Sequence, residues 1–288
     1  MNLTITPGQL SGTVKVPPSK SQAHRLLIAA ALAGEGSVIH NLADSQDIRA
    51  TRRCLEELKT SSKTLPDLDC GESGSTLRFL IPVALALRGG GRFTGHGRLM
   101  ERPQKPYFDL FDEKGIRYEQ KDGVLTVAGV LTPGTFRLPG NVSSQFFTGL
   151  LLALPMLDGP SAIIPTTLLE SEGYIGMTLD VMHQFGVDTA VTCSLPPQYH
   201  IAGGQRYRSA EVTVEGDWSQ AAFWYAANCL GCKVNVQGVT QYSTQGDRVI
   251  ASHCLELSQP GDTEIDMSGC PDLAPPVAAA AAVRQGIT

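Results

Sequence analysis

Residues 17–25 read P-P-S-K-S-Q-A-H-R, and the run that follows is L-L-I-A-A-A-L-A. Pro17 and Pro18 hold the entry extended, because proline fixes φ and biases the residue before it away from helix. Ser19, with Gln22 three residues on, has the spacing of a capping box. The pattern predicts a helix from Ser19 to about Ala33, stopped by Gly34. Lys20 then falls in the first turn, where the macrodipole is positive and a cation costs roughly 0.3–1 kcal/mol. Bare N–H groups, two hydroxyls and a lysine at a helix start suit a phosphate or a carboxylate. Arg25, four residues after Ser21, reaches along the same face. An ordinary capped helix with a solvated lysine would look the same locally, so the rest of the chain has to decide.

The chain has 288 residues, 42% hydrophobic and 18% charged, with a net charge of −5. That is a globular composition, enough for one large domain or two ordinary ones. No overall basic field favours nucleic acid, so any anion site must be local. Apolar runs such as Leu150–Leu157 and Val277–Val283 fall far below the ~20 residues of a membrane span. The start, M-N-L-T-I-T-P, goes directly into a strand pattern, which predicts no targeting peptide and a cytoplasmic protein. Of seven cysteines, Cys229 and Cys232 form a lone C-x-x-C with no second pair in register. They read as reduced structural thiols rather than a zinc site. The histidines show no ligand spacing, so neither a metal nor a cofactor is expected.

Residues 2–6 and 11–17 alternate apolar and polar and predict a hairpin. Strands are also expected at 38–42, 68–70, 92–94, 116–120 and 124–128, the last two turning at Asp122-Gly123. Further strands are expected at 162–164, 188–193, 199–202, 210–214, 233–237 and 264–267. A helix capped by Asp44 or Ser45 carries Ile48, Cys54, Leu55 and Leu58 at helical spacing. Others are expected over 107–113, over 175–184 with Ser171 and Tyr174 just ahead, and near 247–257.

Between these segments the opening theme returns. G-E-S-G-S-T-L-R at 71–78, N-V-S-S-Q-F-F-T at 141–148, G-D-W-S-Q-A-A-F at 216–223 and G-C-P-D-L-A-P-P-V at 269–277 each lead into an apolar helix. M-E-R-P at 100–103 places Arg102 in a turn. Five such starts, each between β segments, form an internal repeat of roughly β-α-β-α-β-β type. No G-x-G-x-x-G follows a strand and no P-loop occurs, which argues against a dinucleotide or nucleoside triphosphate site. Helix starts that converge, joined by Lys20, Arg25, Arg78 and Arg102, would make a multi-anion site. Asp272, an acid among anion seats, reads either as an N-cap or as a general base for a hydroxyl.

Taken together, P-S-K-S-Q-A-H-R, G-E-S-G-S-T-L-R, M-E-R-P, S-S-Q-F, G-D-W-S-Q-A and P-D-L-A-P occur in the order of the EPSP synthase (3-phosphoshikimate 1-carboxyvinyltransferase) family, which the chain resembles over nearly its whole length. The sister transferase acting on UDP-N-acetylglucosamine has K-N where this chain has Lys20-Ser21. An RNA 3′-phosphate cyclase would share the repeat but not the net charge or these motifs. The resemblance implies an α/β (α+β) fold of two domains, each with three βαβαββ units and the ligands between them. Residues 15–214 would form one complete domain, and 1–14 with 215–288 an incomplete other one. It implies transfer of enolpyruvyl from phosphoenolpyruvate to the 5-hydroxyl of shikimate 3-phosphate, by a monomer without membrane or nucleic-acid partners. Ser21, Arg25, Ser143, Ser144, Ser171 and Tyr174 would hold shikimate 3-phosphate. Lys20 and Gln145 would touch both substrates. Gly74 and Arg102 would line the phosphoenolpyruvate pocket, where glyphosate competes. Asp272 would bind the shikimate hydroxyls and act as base, with Lys20 sharing the catalytic work. Family members continue past residue 288 with further lysine, glutamate and arginine contacts. Little or no turnover is therefore expected of this chain alone, the alternative being a non-catalytic fragment that binds shikimate 3-phosphate only.

Overall fold

The computed structural model describes residues 4, 6 and 8–288. Its contacts divide the chain into two units, Met1–Ser19 with Glu215–Thr288, and Lys20–Val214. The 2–6 half of the expected hairpin rests largely on residues outside the described ones. Strand β1 (Ser11–Lys15) is described in a parallel pair, and its partner is taken up with its own unit below.

Within Lys20–Val214 the first elements are α1 (Lys20–Ala33), β2 (Val38–His40) and α2 (Gln46–Thr60). Of the two caps the sequence left open for α2, Ser45 is the one used: its hydroxyl accepts the Ile48 N–H, while Asp44 pairs with Arg49. The next stretch holds β3 (Asp67–Asp69), α3 (Gly74–Arg88), β4 (Gly90–Thr94), α4 (Lys105–Lys114), β5 (Arg117–Lys121) and β6 (Val124–Ala128). These strands form one sheet in the order β3-β4-β6-β5, parallel once and then antiparallel twice. The β5–β6 turn is at Asp122-Gly123, both with positive φ (50° and 76°), as a tight two-residue hairpin requires.

The pattern then repeats with β7 (Gly134–Leu138), α5 (Ser144–Ala153), β8 (Ser161–Pro165), α6 (Glu172–Gln184), β9 (Ala190–Val191) and β10 (Tyr199–Ile201). Their order, β7-β8-β10-β9, has the same connectivity and the same sequence of parallel and antiparallel pairs. β7, which sequence patterning missed, is the first strand of this copy. The strand expected over 188–193 shrinks to two residues.

The third copy is shorter than the expected βαβαββ form. Its first strand is β11 (Glu211–Thr213), which returns from the far end of the segment to pair in parallel with β2. Only residues 61–66 separate α2 from β3, too few for two strands and a turn. Arg88 fastens this short link: its guanidinium donates to the carbonyls of Leu58, Ser61 and Lys63 at 2.8, 2.8 and 2.9 Å.

Helices α3 and α5 run through the middle of the core. From Gly74 to Leu85 nearly every α3 residue is buried, and so is Phe146 to Ala153 of α5, the all-round apolar pattern of a central helix. They approach closely at Gly149, where a Cβ would lie 2.6 Å from the Arg78 carbonyl oxygen. Pro82 sits inside α3 and cannot donate to that same carbonyl. The buried Tyr107 hydroxyl does so instead, at 2.8 Å.

In the other unit α7 (Trp218–Cys229) is followed by β12 (Lys233–Gln237), the parallel partner of β1, and then by α8 (Ile250–Leu257) and α9 (Ala274–Ala281). Trp218, Ala222, Ile250, Leu273 and Val277 pack as its core. Asp217 caps α7 by accepting the Gln220 N–H at 3.0 Å. The strand expected at 264–267 is not formed. Ile265 and Met267 pack on the core, so their alternation reflects burial, and the Asp266 carboxylate turns the chain by accepting the Ser268 N–H at 2.8 Å. Among the described residues no helix is long and apolar enough to cross a membrane.

Candidate functional site

Helix α1 carries two consecutive buried polar side chains, and each ties a different pair of helices. Arg25 is 2% exposed. Its Nε donates to Thr178 Oγ1 at 2.8 Å, Nη1 to the Ser21 carbonyl at 2.6 Å, and Nη2 to Thr148 Oγ1 and the Tyr174 carbonyl at 3.2 and 3.1 Å. The guanidinium also lies 5.0 Å from the Phe79 ring centre. Four of its five N–H donors are thus spent on α1, α5 and α6. No carboxylate pairs with it among the described residues, and burial pushes its pKa down to about 9, so it remains a cation at neutral pH. A buried cation without a counter-ion is costly, and the cost is offset when an anion or a set of oxygens reaches it.

His24, its neighbour, faces the other way. Its Nδ1 lies 2.7 Å from Thr51 Oγ1 of α2, which lies 2.7 Å from Thr76 Oγ1 of α3. Thr76 in turn donates its hydroxyl to Ser73 Oγ at 2.7 Å, and Ser73 caps α3 through the Thr76 N–H at 3.1 Å. All four side chains are buried.

The starts of α3 and α5 meet around two arginines. Arg78 donates to Gln145 Oε1 at 2.9 Å and to the Pro103 carbonyl at 3.0 Å, and touches Ser143 Oγ at 3.5 Å. Gln145 reaches back through Nε2 to Ser75 Oγ at 3.1 Å. Arg102, in the turn after a 3-10 segment at Leu99–Glu101, lies against Gly74, where a Cβ would sit 2.6 Å from its Nη1. Burial pushes the Arg78 pKa down, and nearby Arg102 adds to the effect by like-charge repulsion. Neither arginine forms an ion pair among the described residues. Two guanidinium groups, the first-turn amides that the Ser73 and Ser143 caps leave over and a glycine open to close approach are the chemistry that a small dianion would need.

Lys20, the first residue of α1, pairs with Asp47 in the first turn of α2 at 2.9 Å, with its side chain half-exposed. Asp47 supplies the negative charge that the macrodipole argument called for, and sequence spacing had no way to bring it there. Ser143 caps α5 by accepting the Gln145 N–H, and Ser144 is buried beside it. Ser171 takes the N-cap position of α6 with φ +58° and makes no side-chain cap bond. A left-handed serine costs of order 1–3 kcal/mol and is retained where its surroundings demand it. Tyr174 was expected just ahead of this helix but lies inside its first turn. The structure thus gathers Lys20, Ser21, Arg25, Gly74, Arg102, Ser143, Ser144, Gln145, Ser171 and Tyr174 in one unit.

Asp272 belongs to the other unit and occupies a 3-10 turn, Pro271–Leu273, ahead of α9. It is not the N-cap of α9, a position held by Leu273. Sequence reasoning missed the partners His24, Asp47 and Thr51, because each acts across at least 25 residues of chain.

A family model described as EPSP synthase (3-phosphoshikimate 1-carboxyvinyltransferase) matches residues 5–288. The 3-phosphoshikimate 1-carboxyvinyltransferase of Clostridium beijerinckii is 41% identical over 331 aligned positions, covering 100% of this chain and 75% of its own length. That of Clostridium kluyveri is 41% identical over 99% of this chain and 74% of its own length. The first alignment is 43 positions longer than this chain, so the relative carries stretches with no counterpart here. Among solved structures, EPSP synthase from Acinetobacter baumannii superposes with a TM-score of 0.66 at 21% identity, over 82% of this chain and 57% of that one. The enolpyruvyl transferase NikO from Streptomyces tendae gives 0.59 at 16% identity, over 79% of this chain and 57% of that one. These superpositions speak for the fold, whereas the family match and the identity to the curated relatives establish kinship: the chain belongs to the EPSP synthase family.

Proposed function

We propose that this chain binds shikimate 3-phosphate and phosphoenolpyruvate and transfers the enolpyruvyl group to the shikimate 5-hydroxyl, releasing phosphate. The observation that carries this reading is the meeting of Gly74, Arg78, Arg102, Ser143 and Gln145, cationic and rich in donors, in a member of this family. In this reading Gly74 and Arg102 hold phosphoenolpyruvate. Ser21, Arg25, Ser143, Ser144, Ser171 and Tyr174 hold shikimate 3-phosphate, and Lys20 and Gln145 touch both. Asp272 takes the proton of the attacking hydroxyl as that hydroxyl oxygen bonds to C2 of phosphoenolpyruvate, while C3 takes a proton from the Lys20 ammonium. The tetrahedral intermediate then returns a C3 proton to Lys20 and breaks its C2–O bond to phosphate, which leaves with the proton held by Asp272. Lys20 offsets the phosphoenolpyruvate charge. Every residue so assigned comes from one chain, which suits a monomer. Seven unpaired thiols suit the reducing cytoplasm.

The test is calorimetric titration of the purified chain with shikimate 3-phosphate, then with phosphoenolpyruvate, followed by an assay of phosphate release. The expected result is saturable binding of the first ligand, with Gln145→Ala weakening both. A wild-type chain that folds yet shows no affinity for shikimate 3-phosphate overturns the reading.

A further inference from the structure

The buried hydroxyl chain from His24 to Ser73 has a fixed direction. Thr76 has a single hydroxyl proton, and the geometry gives it to Ser73 Oγ. Thr76 Oγ1 can therefore only accept from Thr51, at 2.7 Å. That uses the one hydroxyl proton of Thr51, so Thr51 Oγ1 must accept from His24 Nδ1, also at 2.7 Å. The ring is thus a neutral imidazole with its proton on Nδ1. Nε2 carries the bare lone pair and has no hydrogen-bond partner among the described residues, and the ring stands edge-on to Phe79 at 6.4 Å. Burial favours the same neutral state.

We propose that His24 is a positioning residue for the phosphoenolpyruvate side of the site, acting through Thr51 and Thr76 on the Ser73 cap. Three bonds in series in a dry interior reinforce one another. They fix the lone pair of Ser73 that holds the Thr76 amide, and so the first turn of α3, which carries Gly74 and Ser75. The same histidine is four residues from Lys20 on α1. One side chain therefore sets the α3 start against the helix that bears the lysine. The role of the α3 start in ligand binding rests on the function proposed above, but the relay itself does not.

Two variants and one spectrum test the proposal. Thr51→Val keeps the shape and removes the relay, and Thr51→Ser restores the hydroxyl. The ¹⁵N spectrum of the native His24 ring should show the Nδ1–H tautomer at neutral pH. An Nε2–H tautomer overturns the relay whatever the ligands do. In Thr51→Val the Thr76 amide should exchange about tenfold faster, the worth of one buried hydrogen bond. Phosphoenolpyruvate affinity in the presence of shikimate 3-phosphate should fall by a similar factor. Affinity for shikimate 3-phosphate should stay within about twofold, and Thr51→Ser should recover both losses. Unchanged phosphoenolpyruvate affinity, equal weakening of both ligands, or no recovery by serine each refutes the positioning role. If the wild-type chain binds neither ligand, the proposed function has failed, and the tautomer and exchange results still decide the relay.

Discussion

Acid should destabilise the Lys20–Val214 unit through His24, by an amount the structure sets. Burial pushes the imidazole pKa down from 6.5 to about 3, with Lys20 and Arg25 adding to the shift and Asp47 opposing it. In the unfolded chain the ring titrates near 6.5, so on acidification the unfolded state takes up a proton that the folded state refuses. The contribution of His24 to stability is complete above pH 6.5 and falls as the pH drops below it, levelling off only under pH 3. Between pH 7 and pH 5 the loss is about 2 kcal/mol, nearly 1.4 pH units at 1.36 kcal/mol each. His24→Asn removes the titration and keeps an N–H able to reach Thr51. Urea unfolding at pH 7, 6 and 5 should therefore show wild type losing about 2 kcal/mol more than the variant over that range. Far-UV circular dichroism is the suitable probe, because both tryptophans, Trp218 and Trp224, lie in the other unit. The same pH dependence in both proteins, within about 0.5 kcal/mol, would mean that His24 does not titrate this way.

Other perturbations follow from the same geometry. Gly74→Ala puts a Cβ on Arg102 Nη1, the movable end of a side chain. Stability should change by less than about 0.5 kcal/mol while phosphoenolpyruvate affinity drops about tenfold or more, read by thermal melts and calorimetry. Tyr107→Phe leaves the Arg78 carbonyl, already denied a donor by Pro82, without a partner and should cost about 1–3 kcal/mol. In a Pro82→Ala background, where the alanine N–H can supply that bond, the cost should shrink, which a double-mutant cycle by urea unfolding will show. Arg25→Ala removes four donated hydrogen bonds and leaves a cavity, while Thr148, Thr178 and the Tyr174 carbonyl stay bonded to one another, and it should cost about 2–5 kcal/mol, measured by urea unfolding.

Local signals were well read in the sequence. Ser73, Ser143 and Asp217 cap their helices as the motifs indicate, and the Asp122-Gly123 hairpin forms where a positive-φ turn was written. These features depend on residues two to four apart, which is the range over which sequence patterns carry physical meaning. Alternation failed where burial and pairing part company, as at Ile265 and Met267. The short β7 was missed because Gly134 and Arg137 break its apolar run. The shortened third copy was legible in principle, since 61–66 cannot hold two strands, but the helix and strand signals around it look normal. The couplings across the candidate site were not legible at all. Lys20–Asp47, His24–Thr51 and Arg78–Gln145 join residues 27 to 67 apart, and no local rule selects those partners.

The two networks on α1 show why the site and the core are one construction. His24 and Arg25 are consecutive, so they leave the helix about 100° apart. One therefore grips α2 and α3 and the other α5 and α6. Each grip closes on threonines, side chains short enough to stay inside the core and able to donate and accept at once. The head of α1 is thereby tied to α2, α3, α5 and α6 through side chains in the interior. A chain built this way can keep its helix starts in register with only residues 61–66 between α2 and β3, because the register is set from inside. The same economy makes Arg25 a poor control for ligand binding. Its loss disturbs three helices before it removes a ligand contact, whereas Gly74 and Gln145 report on the ligands with the interior left in place.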